Sequence, residues 1–339
     1  MMFKHPRLLA AFALCTATSL TPQISQACAS CGCTLNSDAA AGFLPSTGWS
    51  FNAEYTTINQ NELRRGRAAA TAAEVVNNPT TGELEQYTKS QYLNMGITYG
   101  FNANWNVSLL VPYIMRDHGS FTDQTSAPFD FSQTMPSNLS TAHSSGMGDI
   151  KVIGRYQGFF PNHNAGVMFG LKLPTGTYDK TQFSTGPSAG QPLDTSLQAG
   201  TGSTDLLLGA FYYQALSQNW DGFANVNTQF ALAQRLNQPG NNFRPGNQSN
   251  LSLGLRYITQ AIWTPQVQLN ISHKSADQGA LADDQDTAGT VFYLSPGVNV
   301  RMSDRLSGYA FVQVPVASQL QGFQLFPRWT ATLGLHYVL

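Results

Sequence analysis

Polar and apolar residues alternate in twelve segments of this chain. In the last, residues 328–339, Trp329, Ala331, Leu333, Leu335, Tyr337 and Leu339 fall on one side. Arg328, Thr330, Thr332, Gly334 and His336 fall on the other. A period of two marks a β-strand with one apolar and one polar face. The same spacing runs through 49–55, 93–99, 105–115, 150–156, 167–173, 206–212, 220–226, 251–257, 267–271, 294–302 and 310–316.

The connections between these strands alternate in length. Short joins (FNAN, FFPNHN, SQN, TQAIW and SDR) follow every second strand, and long polar linkers fill 60–86, 117–146, 175–203, 233–247, 275–288 and 317–327. Tight turns at one end and long loops at the other are the habit of outer-membrane barrels. Trp49, Tyr99, Trp105, Tyr113, Trp220, Tyr257, Trp329 and Tyr337 stand at strand ends, where interfacial girdles form. A soluble barrel or sandwich also alternates, but six long loops on one end are foreign to a compact soluble domain. The expected fold is all-β: a transmembrane antiparallel β-barrel of about twelve strands, with short periplasmic turns and long extracellular loops. The chain ends flush on a strand because a barrel without an edge must pair its last strand with its first.

If the apolar faces meet lipid, the complementary faces line a lumen. That set holds Glu54, Arg116, Asp149, Lys151, Arg155, Lys172, Asp205, Asp221, Arg256, Lys274, Arg301 and His336, with many Asn, Gln and Ser between them. Charge is expensive on the lipid face of such barrels, and charge along a pore selects what passes. Basic residues outnumber acidic ones in the set, which predicts an electropositive lumen. The opposing reading is a narrow interior plugged by mutually neutralising side chains. Inward Phe211, Tyr213, Phe223, Tyr309 and Phe311 are either filler or the walls of a path for an aromatic solute. The Gly- and Pro-containing linker 175–203 is a candidate to fold inward as a gate.

Composition agrees. Charged residues make up 11 % of the chain, against about 25 % in an ordinary globular protein. The net charge of −1 gives no reason to expect nucleic acid. The start, MMFKHPR followed by LLAAFALC and a cleavage site at Ala27, reads as an export signal over 1–27. A Cys-containing periplasmic leader, 28–46, follows, and the barrel takes 47–339.

The leader carries CASCGC, with Cys28, Cys31 and Cys33. Three thiols so closely spaced suit Cu(I) or Zn(II). A disulfide is the ordinary fate of cysteines outside the cytoplasm, and Cys28 also sits where a bacterial lipoprotein is acylated. All three readings stay open. No cofactor is expected beyond such a metal.

At GMGDIKVIGRYQGF, GVMFGLKLPTGTY and GTGSTDLLLGAFYY the chain resembles the phenol-degradation MetA-pathway-like family of outer-membrane barrel proteins. The resemblance covers roughly 90–339 and implies a small barrel transporter of a Gram-negative outer membrane. The expected function is a channel for small solutes, anionic or aromatic. The expected partners are outer-membrane lipid, the barrel assembly machinery and the solute. The alternative is a non-conducting barrel that docks a periplasmic redox or metal-handling partner through its Cys leader. An enzyme is not expected. By parity His273 faces lipid, His336 has no serine at a motif spacing, and GPSAG at 186–190 lacks the strand-to-helix elbow that G-x-S-x-G needs.

Overall fold

The computed structural model describes residues 47–78, 83–122 and 136–339. The expected signal 1–27 and the leader 28–46, with Cys28, Cys31 and Cys33, lie outside these residues. The strands in chain order are β1 (Gly48–Gly66), β2 (Ala68–Ala69), β3 (Glu83–Gly100), β4 (Trp105–Thr122), β5 (Ser140–Met147), β6 (Ile150–Tyr156), β7 (Ala165–Leu173) and β8 (Ser203–Ala215). They continue as β9 (Trp220–Gln234), β10 (Asn237–Gln238), β11 (Asn241–Asn242), β12 (Gln248–Tyr257), β13 (Trp263–Lys274), β14 (Gly289–Arg301) and β15 (Leu306–Val338).

Eleven of these strands form an antiparallel path, β15-β14-β13-β12-β9-β8-β7-β6-β4-β3-β1, and pairing of β15 with β1 closes it into a barrel. The strands β2 and β5 lie off this path, and β10 with β11 makes a separate ribbon. The wall nevertheless has the twelve positions expected, because β15 fills two of them. Its residues 307–320 pair with β14 and its residues 320–338 pair with β1. The backbone N–H of Val338 donates to the Arg305 carbonyl, joining the two arms. The expected loop 317–327 is therefore strand, and Gly322, at φ +65°, is where its backbone turns back. Gly tolerates that left-handed conformation without strain.

Two other expected loops also shrink. The strand β1 runs on to Gly66 and β3 begins at Glu83, while β4 reaches Thr122 and β5 begins at Ser140. These extensions carry polar residues on both faces, so no apolar period revealed them. A small apolar core holds them together. Helix α1 (Ala72–Val76), capped by Thr71 and Glu74, buries Val75 and Val76 against Leu84, Phe121 and Phe323.

Along the wall the two faces divide as expected. On β1, Phe51 is 39 % exposed, whereas Glu54 is 4 % and Thr56 0 %. The outer face presents a continuous apolar band that includes Phe51, Met95, Leu109, Phe169, Leu208, Leu253, Leu269, Leu294, Val314 and Leu335. At the short-turn rim Trp49 packs on Tyr99, Trp105 on Tyr156, and Trp220 on Tyr257, with ring centroids 4.7–5.0 Å apart. An apolar band ended by an aromatic rim is the surface that a lipid-embedded barrel needs.

Candidate functional site: the barrel interior

The half of the interior nearest the long loops is organised by one lysine and one arginine. Lys172 Nζ lies 3.0 Å from Asp149 Oδ2 and 2.9 Å from Asp205 Oδ2, and it donates to Ser203 Oγ and Thr201 Oγ1. Asp149 sits between β5 and β6, and its carboxylate also accepts from the backbone N–H groups of Gly176 and Thr201, each at 3.0 Å. It thereby ties together the two ends of loop 174–202. Gly176 and Gly200 let the two chains cross there, since a Cβ on either would stand 2.6–2.8 Å from the other's backbone.

The same loop turns inward over β4 and β5. Arg116, 4 % exposed, donates to the carbonyls of Ser196 and Gln198, to Ser90 Oγ and to the Tyr92 hydroxyl. Phe183, Leu193 and Leu197 pack on Ala142 of β5, and Phe183 meets the His118 ring at 6.0 Å. The expectation of an inward loop thus has a physical anchor. A buried guanidinium needs acceptors, and the loop backbone supplies two.

The half nearest the short turns is aromatic. Phe211, Phe223, Tyr309 and Phe311 are buried, and each lies on a glycine of the adjoining strand segment. Phe211 covers Gly166, Phe223 covers Gly254, Phe311 covers Gly297 and Tyr309 covers Gly334; a Cβ at any of these glycines would stand 2.0–2.4 Å from the ring. Each ring is thereby held against the wall instead of projecting toward the axis. Arg155 stacks on Phe211 at 4.1 Å and Arg256 stands 5.8 Å over Phe223, with Asp221 Oδ2 3.3 Å from its Nη2. Glu54 accepts from the Tyr309 hydroxyl at 2.8 Å and from Asn94 at 3.3 Å.

Of the residues expected to line a lumen, Glu54, Arg116, Asp149, Lys172 and Asp205 are buried. Lys151 is within electrostatic reach of Lys172, Asp149 and Asp205. Lys274 pairs with Asp277 at the base of loop 275–288, and His336 lies between Gly334 and Val338 opposite Asn52. Arg301 departs from expectation: it is exposed, at the short-turn rim. Sequence reasoning also missed Glu83, Glu85 and His118, assigned to loops yet buried. His118 bonds Thr88 through Nδ1 at 2.9 Å and faces Glu83 through Nε2 at 3.5 Å. The only signal was a faint continuation of the period through Thr88, Ser90 and Tyr92.

These placements change the charge balance. Among the buried and half-buried groups named above, the loop residue Asp277 apart, Arg116, Lys151, Arg155, Lys172, Arg256 and Lys274 stand against Glu54, Glu83, Glu85, Asp149, Asp205 and Asp221, six against six. The expected basic surplus disappears. Near the long loops the added charge is acidic, and burial raises the carboxyl of Asp194 well above its usual range, with Asp277 and Glu83 adding to the effect.

The hydrolase motif is also absent from this geometry. Ser188 of GPSAG is buried with its backbone N–H on Ser140, and His273 is exposed on the outer face, bonded to Thr290.

An up-and-down barrel with a polar interior and an apolar belt is the outer-membrane β-barrel fold. The chain is similar to the COG4313 outer-membrane channel from Pseudomonas putida F1, at 12 % identity and a TM-score of 0.58, over 88 % of this chain and 97 % of that one. It is also similar to the translocator domain of the autotransporter NalP from Neisseria meningitidis, at 9 % identity and a TM-score of 0.50, over 90 % and 93 % of the two chains. No family model and no curated protein matches the chain, so the family resemblance rests on its glycine-rich strand motifs.

Proposed function

We propose that this protein is an outer-membrane channel for small solutes, with its short turns in the periplasm and its long loops outside. The observation that carries the reading is loop 174–202, bent into the barrel and held there by Arg116 and Asp149. The loop backbone supplies acceptors to Arg116, and an inward loop at one mouth is also the arrangement of a gate. At that level Thr56, Gln60, Thr88 and Ser120 of the inner face are fully buried, which supports reading this conformation as the closed one. The balanced charges of the strands leave ion preference to local groups rather than to a surplus.

The test is single-channel conductance of the purified protein in planar bilayers, with reversal potentials. Wild type is expected to conduct weakly. Removal of residues 182–192, the outer part of the loop, is expected to raise conductance while the barrel stays folded. If neither protein conducts, the channel reading fails and the docking reading takes its place. In that reading Cys28, Cys31 and Cys33 meet a periplasmic redox or metal-handling partner, with Cu(I) or Zn(II) bound between them. Metal content of the purified protein and of Cys31→Ser tests that reading.

A further inference from the structure

We infer that Lys151, with an apolar tier of Leu110, Ile153, Met168 and Leu207, forms a site inside the barrel for a small monovalent anion with an apolar body. The inference rests on the channel reading and deepens it by naming a substrate class. Strand register brings the group together. Lys151 of β6 pairs with Leu110 of β4 on one side and with Lys172 of β7 on the other. Two residues further along β6, Ile153 pairs with Gly170, which pairs in turn with Leu207 of β8. Two residues beyond that, Arg155 stands opposite Met168. Residues directly opposite in antiparallel strands share a face, so these side chains look inward with Lys172.

The interior is not filled evenly around its circumference. Thr56 of β1, Ser90 of β3, Gln268 of β13 and Ser295 of β14 are 0–1 % exposed. Leu110, Lys151, Ile153, Met168 and Leu207 are only half-buried. The inner face of β4, β6, β7 and β8 therefore borders open space.

Charge sets Lys151 apart on this face. Arg116 is held by loop carbonyls, Arg256 by Asp221, Lys274 by Asp277 and Lys172 by two aspartates. Among the described residues Lys151 makes no hydrogen bond or ion pair, and its nitrogen is not enclosed. It does not complete the Lys172 network either. Asp205 Oδ1 is enclosed without a hydrogen-bond partner, although Lys151 is within electrostatic reach of that residue. Like charges directly opposite repel, and an ammonium beside apolar side chains has lost hydration that nothing here replaces. An entering anion supplies the counter-charge. Inside a narrow wall shielded by lipid that attraction is screened less than at an open surface.

An ammonium is a point charge without the fork of a guanidinium, so it accepts any single anionic oxygen. Selection then falls to the aliphatic tier beside it. Acetate fills only the charged half of the site, and a neutral alcohol only the apolar half. Asp149, two residues before Lys151, anchors loop 174–202, which puts the site just inside the gate. If Lys151 serves only to balance Asp149 and Asp205, then Lys151→Gln weakens the barrel and leaves anion binding by the folded protein unchanged.

The experiment is calorimetric titration of the full-length protein in detergent with butyrate, acetate and butan-1-ol at neutral pH. Butyrate is expected to bind more tightly than either of the others. Lys151→Gln is expected to weaken butyrate by about 10-fold or more, and Lys151→Arg to retain it. Leu207→Ser is expected to bring butyrate down to the level of acetate and to leave acetate unchanged. Heat-modifiable migration on gels reports folding, and the wild-type comparison decides if a variant misfolds. The site is refuted if butyrate binds no better than acetate or butan-1-ol, or if folded Lys151→Gln binds it as wild type does. Conductance without butyrate binding refutes the site and leaves the channel; butyrate binding without conductance refutes the channel and leaves the site.

Discussion

Lys172 shows how much one side chain holds in this barrel. Asp149 and Asp205 are 6 % and 1 % exposed, and a buried carboxylate without its partner is costly. Lys172→Met is therefore expected to destabilise the barrel by about 3–5 kcal/mol, measured by urea unfolding in detergent. Adding Asp149→Asn should recover part of that loss. The seated rings give a second residue-scale prediction. In Gly297→Ala the new Cβ would stand 2.2 Å from Phe311, so the ring must leave the wall. Overpacking of this kind costs about 1–3 kcal/mol, and the displaced ring should lower conductance. Phe311→Ala in the same chain should restore part of both, since the new Cβ also stands 2.7 Å from the Ala310 carbonyl oxygen.

At the scale of elements, loop 275–288 is a strap across the tip of β15. The backbone N–H of Phe323 donates to Asp286 at 2.8 Å, that of Gln321 donates to the Ala288 carbonyl, and Gln324 reaches the same carbonyl. Burial, with Asp283 adding to it, pushes the Asp286 carboxyl up to about 7, against the pull of Phe323 N–H and Arg65. Burial pushes Asp283 up to about 6, with Asp284 and Asp277 adding to it. Carboxyls of the unfolded strap titrate near 4, so the folded strap holds protons that the open one has released. Its stability is full below about pH 4, falls as pH rises through the folded values near 6 and 7, and is level above them. Hydrogen exchange of 275–288, corrected for intrinsic rates, should show more protection at pH 5 than at pH 8. Asp286→Asn should remove most of that difference.

As a whole molecule the barrel is taller on one side. The strands β1, β3 and β4 have 19, 18 and 18 residues, whereas β6 and β7 have 7 and 9. About 9–11 residues are enough for a tilted membrane strand, so the long strands rise beyond the apolar band. Loop 174–202 fills the low side, its Thr185 bridging to Thr141 on the open edge of β5. The proposed orientation makes a prediction for the intact cell. Cysteines placed at the exposed Ala189 and Gln238 should react with an impermeant label, and one at Asp304 should not. Labelling at Asp304 would invert the topology.

The sequence by itself determined the alternation, the five short joins and the pairing of the last strand with the first. Leu339 N–H does donate to the Trp49 carbonyl. These features are legible because a period of two is a local property of extended backbone, and because charge is excluded from a lipid face wherever it falls. Where both faces of a strand are largely polar, as in 60–66 and 117–122, or where the apolar residues break the period, as in 317–327, that signal is absent and strand read as loop. Only the tertiary structure decided which inward charges meet. Asp149, Lys172 and Asp205 are far apart in sequence and become neighbours through strand register, as Phe223 and Gly254 do. It also decided that loop 174–202 turns inward, because the acceptors that Arg116 requires lie on a loop backbone, which no side-chain pattern displays.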